Sequence, residues 1–219
     1  MTSEFIVKDC SLLAIATGLR AYSLSELADK LASVDIDSIY YHFWGSLLRP
    51  SFDDPDFRND FSAWIYRNLN DPVLAERLGV IVPTDFDDFE QLRESLIETI
   101  EDRINEDEMA NIRRGIDPFQ FLRFQIVIFD TGSRLSNPSD IVPLARNMSI
   151  GSYYYHFIDS RRRLEEEKDD FSEWMSGFDG KYKDCIDALR DLDPYFFNLQ
   201  ELRNIVSGIF ENHLRDGDK

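Results

Sequence analysis

Two of the three histidines in this 219-residue chain occupy the same place in a repeated hexapeptide, Ser38-Ile39-Tyr40-Tyr41-His42-Phe43 and Ser152-Tyr153-Tyr154-Tyr155-His156-Phe157. An imidazole held in one tautomer by a carboxylate is a general base near neutral pH, and each histidine has a candidate partner downstream in its own copy, Asp60 or Asp170. The same pairing also suits a buried histidine whose ring nitrogens are satisfied by hydrogen bonds. The Tyr and Phe neighbours favour the structural role without deciding it. Arg20 and Arg134 each follow a Thr-Gly pair. A guanidinium fork there either grips a phosphate or carboxylate ligand or closes an internal ion pair, and the abundance of acidic residues favours the ion pair. If Arg20, His42, Arg134 and His156 faced one cleft, they would form a paired site for phosphorylated or sugar compounds.

Other motifs carry less chemistry. The acidic clusters Asp53-Asp54-Pro55-Asp56 and Asp85-Phe86-Asp87-Asp88-Phe89-Glu90 have the oxygen donors that calcium or magnesium prefers. They lack the spacing and turn glycine of a calcium loop, so solvated turns leading into helix caps are expected instead. No phosphate-binding loop, dinucleotide fingerprint, nucleophile elbow or zinc-protease motif occurs, and no metal or cofactor is expected. The stretch from Trp44 through Leu47, Leu48 and Phe52 reads as an exposed apolar loop, equally suited to docking a partner or to covering the core.

These residues are positioned by an internal duplication. An offset of 114 aligns Thr17–Phe43 with Thr131–Phe157 and leaves ten of 27 positions identical. Beyond it the offset becomes 110, where Asp60-Phe61-Ser62-Ala63-Trp64 meets Asp170-Phe171-Ser172-Glu173-Trp174. The first copy therefore holds four extra residues between Trp44 and Asn59. Each copy opens with an apolar segment ending in Thr-Gly, and Phe121–Phe129 reads as a buried strand. Helices follow. Ser23 with Glu26, Asn137 with Pro138, Asp71 with Pro72, Asp88 with Gln91 and Asn198 with Glu201 mark their starts, and Ser38, Ser152, Asp60 and Asp170 are further candidate caps. The expected fold is α+β and predominantly helical, an internally duplicated pseudo-two-fold arrangement of two strand-then-helices repeats. Their spans are 1–110 and 111–219, packed as one globular unit, with the joint in Glu106–Asp117.

Composition narrows the partners. The hydrophobic share of 43%, with 17 Phe, 9 Tyr and 3 Trp, provides a large core. A formal charge of −18 argues against nucleic acid and anionic membranes, whose binding needs Lys and Arg to displace counterions; the acidity favours simple solubility, with attraction of a basic protein partner as the alternative. Cys10 and Cys185 are isolated and suit reduced thiols in a cytoplasmic protein. Met1-Thr2-Ser3-Glu4 has no export pattern, and Ser11–Ala16 is too short to span a bilayer. Oligomeric state is not specified by these features.

With Lys8-Asp9-Cys10, Ala16-Thr17-Gly18, the Ser38–Gly45 block, Phe52-Asp53-Asp54-Pro55, Leu74-Ala75-Glu76-Arg77-Leu78-Gly79-Val80, Phe129-Asp130-Thr131-Gly132, Tyr155-His156-Phe157-Ile158-Asp159 and Asp193-Pro194-Tyr195-Phe196, the chain resembles the domain of unknown function 5752 family along nearly its whole length. That resemblance implies a bacterial or archaeal cytoplasmic protein and assigns no activity. Two functional expectations follow: a non-enzymatic protein-binding or regulatory module, or an enzyme or small-ligand binder using the paired histidines and arginines.

Overall fold

The computed structural model describes residues 4–48, 57–164 and 168–215, the side chains of 46–48 excepted. The fold is α+β and predominantly helical, with two long strands, β1 (Phe5–Ala21) and β2 (Phe119–Leu135), paired in one antiparallel sheet. The repeated Thr-Gly explains itself here. Thr17 Oγ1 donates to the Phe121 carbonyl at 2.8 Å and accepts from the Leu19 N–H, while Thr131 Oγ1 donates to the Val7 carbonyl at 2.6 Å and accepts from the Ser133 N–H. Each threonine thus bridges a kink whose next residue, Gly18 or Gly132, has φ of +84° or +82°. Glycine enters that left-handed region without a Cβ penalty.

The chain forms two compact units, residues 13–125 and residues 1–12 with 126–219. Repeat and compact unit are different divisions, because the opening strand segment of each repeat belongs to the unit built from the other repeat's helices.

In the first unit, residues 13–125, α1 (Leu24–Leu31), α2 (Ile36–Leu48), α3 (Asp60–Trp64), a π-helical turn (Ile65–Leu69) and α4 (Pro72–Gly79) precede the long α5 (Phe89–Glu106) and short α6 (Glu108–Ile112). Leu92, Leu96 and Ile100 repeat at helical spacing and bury one face of α5 against α1, α2 and α4. Asp71 caps α4 by accepting from the Leu74 N–H, and its buried carboxylate also takes Arg103 at 2.9 Å and Arg113 at 3.3 Å.

In the second unit a 3₁₀ turn (Pro138–Ile141), α7 (Val142–Ala145), α8 (Ile150–Tyr153), a π-helical turn (Tyr154–Asp159) and α9 (Ser160–Arg163) precede α10 (Asp170–Ser176), α11 (Lys183–Arg190) and α12 (Leu199–Leu214). Leu202, Val206 and Phe210 face inward as α12 packs on α7, α8 and α11.

Ser23, Asn137, Asp71, Asp88 and Asn198 cap as expected. Four other expectations are corrected. The caps of α3 and α10 are Asn59 and Asp169, which accept from the N–H of Ser62 and Ser172, so Asp60 and Asp170 stand one residue inside. Ser38 is interior to α2, and Ser152 is preceded by the true cap, Ser149. The middle of β2 is not buried: Val127, Ile128 and Phe129 are 45%, 47% and 45% exposed. Trp44 is 4% exposed rather than on an open loop, since α2 continues past it and holds the indole beside Tyr40. The Leu47 and Leu48 side chains and all of Phe52 lie outside the described residues.

The second unit brings α8 very close to β1. A Cβ on Gly151 would fall 2.3 Å from the Cys10 carbonyl oxygen, where the thiol of Cys10 also donates to the Gly151 carbonyl. Gly151→Ala is therefore expected to destabilise the protein by about 1–3 kcal/mol through overpacking, seen as a lower urea midpoint with an unchanged m-value.

Candidate functional site

Each unit contains one histidine–aspartate pair at the contact of helix and strand. In the first unit, α2 carries Ser38 and His42 one turn apart on the same face. His42 Nδ1 lies 2.8 Å from Asp60 Oδ2, and the Leu122 N–H donates to Nε2 at 3.1 Å. Ser38 Oγ donates to the carbonyl of the same residue at 2.7 Å, so one helix face satisfies both backbone groups of Leu122. The imidazole is 2% exposed and packs on Phe119, with ring centroids 4.6 Å apart, and on Phe61.

The second unit repeats the two contacts of the histidine, while Ser152 bonds to Ser149 instead of the strand. His156 Nδ1 lies 2.7 Å from Asp170 Oδ2, the Lys8 N–H donates to Nε2 at 2.9 Å, and the ring packs on Phe5 and Phe171. A backbone N–H can only donate, so Nε2 is the unprotonated acceptor in both sites and Nδ1 carries the proton given to the aspartate. The lone pair a general base would use is therefore engaged with the strand.

The surroundings of the two pairs differ. Asp170 is 17% exposed and also accepts from Arg163 at 3.1 Å, whose guanidinium lies 4.2 Å over the Tyr155 ring and pairs with buried Asp159 at 2.8 Å. Asp60 is 31% exposed and, among the described residues, accepts from His42 alone. Next to each pair is a cleft. That of the first unit, about 440 Å³, is lined among others by Asp60, Trp64, Arg67, Asn68, Phe119 and Gln120. That of the second unit, about 460 Å³, includes Glu4, Lys8, Arg163, Asp170, Glu173 and Trp174.

Neither cleft is lined by Arg20 or Arg134. Arg134 is exposed and doubly bonded to Asp130, whose carboxyl it holds down at about 2 with help from the Gly132 N–H. Arg20 is exposed near the end of β1 and makes no ion pair among the described residues. The structure thus joins each histidine to its own aspartate but does not bring the arginines to them. Sequence reasoning missed Ser38 as a strand-binding group and Arg163 as a cleft residue. The Ser-x-x-x-His spacing, one helical turn, was the available signal for the first.

Both thiols are buried. Desolvation, reinforced by Asp9 and Asp159 around Cys10 and by Asp169 around Cys185, pushes each thiol up to about 12. Among the described residues no group of three His, Cys, Asp or Glu side chains is arranged to hold a metal ion, and no helix is long and apolar enough to cross a membrane.

Fold and sites together define a duplicated helical α+β protein with a strand-gripping histidine in each unit. The chain belongs to the family of unknown function DUF5752, which matches residues 2–211. Its structure is similar to that of OrfY from Thermoproteus tenax, with a TM-score of 0.82 at 24% identity over 96% of this chain and 95% of that one. That likeness establishes the fold. No curated protein matches the chain.

Two outcomes follow from the site. His42→Ala or His156→Ala strands a backbone amide and an aspartate, and should lower stability by roughly 2–4 kcal/mol in denaturant titration. A thiolate is the species that alkylates, so at pH 8 Cys10 and Cys185 should resist iodoacetamide in the native protein and react only after unfolding, as read by mass spectrometry.

Proposed function

We propose that this protein is a non-enzymatic binding module, regulatory in role and cytoplasmic, whose partner is a protein of basic character. The observation that carries this reading is the commitment of both histidines: each Nε2 accepts a strand N–H and each Nδ1 serves an aspartate. A general base needs a lone pair within reach of substrate. In this fold the imidazoles spend theirs holding secondary structure together, so the residues best suited to chemistry act as architecture.

Exposed strands of the second unit support this reading. Ile6, Val127, Ile128 and Phe129 are exposed on its strand segments, and the two-stranded sheet has no further strand beside either edge among the described residues. Free strand edges with apolar side chains are where an extended segment of another protein adds on. The charge of −18 speeds encounter with a basic partner and makes that encounter sensitive to salt. Two reduced, buried thiols accord with the cytoplasm.

Affinity capture from native lysate with the wild type and with a Val127→Lys, Phe129→Lys double variant tests the reading. One stoichiometric partner, held by the wild type and lost by the variant, is expected. Recovery of no stoichiometric partner, together with turnover of a metabolite by the wild type, would overturn it.

A further inference from the structure

We propose that the cleft of the first unit binds a guanidinium group at Asp60, presented by an arginine whose own carboxylate meets Arg67. The second unit shows what such a site looks like when filled. There Arg163 lies against the histidine-bound aspartate, donating to Asp170 at 3.1 Å with its charge over the Tyr155 ring. The protein supplies this guanidinium itself, and buried Asp159 anchors it at 2.8 Å.

In the first unit the corresponding carboxylate, Asp60, is held by His42 in the same way yet accepts nothing else among the described residues, and it is nearly twice as exposed, 31% against 17%. It opens onto a cleft whose walls include Trp64 and Phe119. A carboxylate beside aromatic rings is a favourable seat for a planar cation, which gains charge-assisted hydrogen bonds and cation–π attraction together. Arg67 also lines this cleft, is exposed and makes no ion pair among the described residues. A bare cation would be repelled by it. A ligand with a carboxylate at one end and a guanidinium at the other satisfies both groups, with Asn68 and Gln120 as neutral polar neighbours. In the second unit Gly177 stands at the position of Arg67, so the cleft there lacks this complementarity.

The shared chemistry has two sources, free L-arginine and a polypeptide ending in arginine. The inference deepens the reading of the protein as a binding module and depends on it, but at a place separate from the exposed strands. Calorimetric titration of the full chain with L-arginine, agmatine, a short peptide ending in arginine and its C-terminal amide distinguishes the sources. Saturation at one per chain is expected for L-arginine, which assigns a free metabolite, or for the free-acid peptide alone, which assigns a chain end. Agmatine and the amide should bind roughly ten- to hundredfold more weakly, as should the preferred ligand to Asp60→Asn, which keeps an oxygen for His42. Should Asp60→Asn fail to fold, Arg67→Ala on the exposed rim must erase the preference for the carboxylate. The proposal is overturned if no guanidinium compound saturates, if Asp60→Asn binds as the wild type does, or if agmatine binds as tightly as L-arginine. Loss of arginine binding with partner capture intact would sink this inference alone, whereas arginine binding without any protein partner would sink the broader reading instead.

Discussion

A backbone amide seated on an imidazole is the interaction on which the rest of the structure depends. Leu122 and Lys8 each present an N–H to a histidine on a neighbouring helical segment, and each histidine is fixed in the accepting tautomer by an aspartate at the start of a later helix, α3 or α10. Three elements are thereby joined by one side chain. Leaving a buried amide unpaired costs about 1–3 kcal/mol, so the strand cannot shift register without that loss. Both strand segments gripped in this way come from the opposite repeat in sequence, which is why one compact unit joins residues 1–12 to 126–219 and the other, 13–125, runs across the boundary between the repeats.

The two units keep this contact while differing around it. At the helix start before the aspartate, the first unit uses Asn59, whose amide also donates to the Leu78 carbonyl. The second uses Asp169, a buried carboxyl whose pKa is raised by desolvation more than the Ser172 N–H and hydroxyl bring it down. An acid in that position needs compensation, and Arg161 provides nearby positive charge. Charge has thus accumulated in the second unit, where Arg163, Asp159 and Asp170 form an internal network, while the first unit left its equivalent carboxylate open to a cleft.

Local physics made much of the fold legible. Cap residues declare themselves because their partners lie two or three residues away, as with Ser23, Asp71, Asp88, Asn137 and Asn198. Asp60 and Asp170 were misplaced by one position because Asn59-Asp60 and Asp169-Asp170 each offer two capping side chains in succession, and only the histidine chooses between them. The site was half legible. Pairing each histidine with its aspartate follows from the duplicated blocks, whereas the third partner, a strand amide from the other repeat, is 80 residues away from His42 and 148 from His156 and has no side-chain identity to read. Of the arginines after Thr-Gly, Arg134 closes the internal ion pair that the acidic composition favours. That motif recurs because threonine and glycine together make a strand kink, a requirement of the backbone alone.

The amino-acid sequence by itself determined that the chain is duplicated, mostly helical, strongly acidic and rich in aromatic core residues, since these rest on composition, periodicity and self-similarity. Tertiary structure alone decided that the histidines accept from strands, that Trp44 turns inward, that the middle of β2 stays uncovered, and that one of two sister aspartates is filled by the protein's own arginine. The reason is physical. Helix starts and kinks are governed by groups a few residues apart, whereas the availability of a lone pair or a carboxylate depends on which distant backbone or side chain arrives beside it when the chain folds.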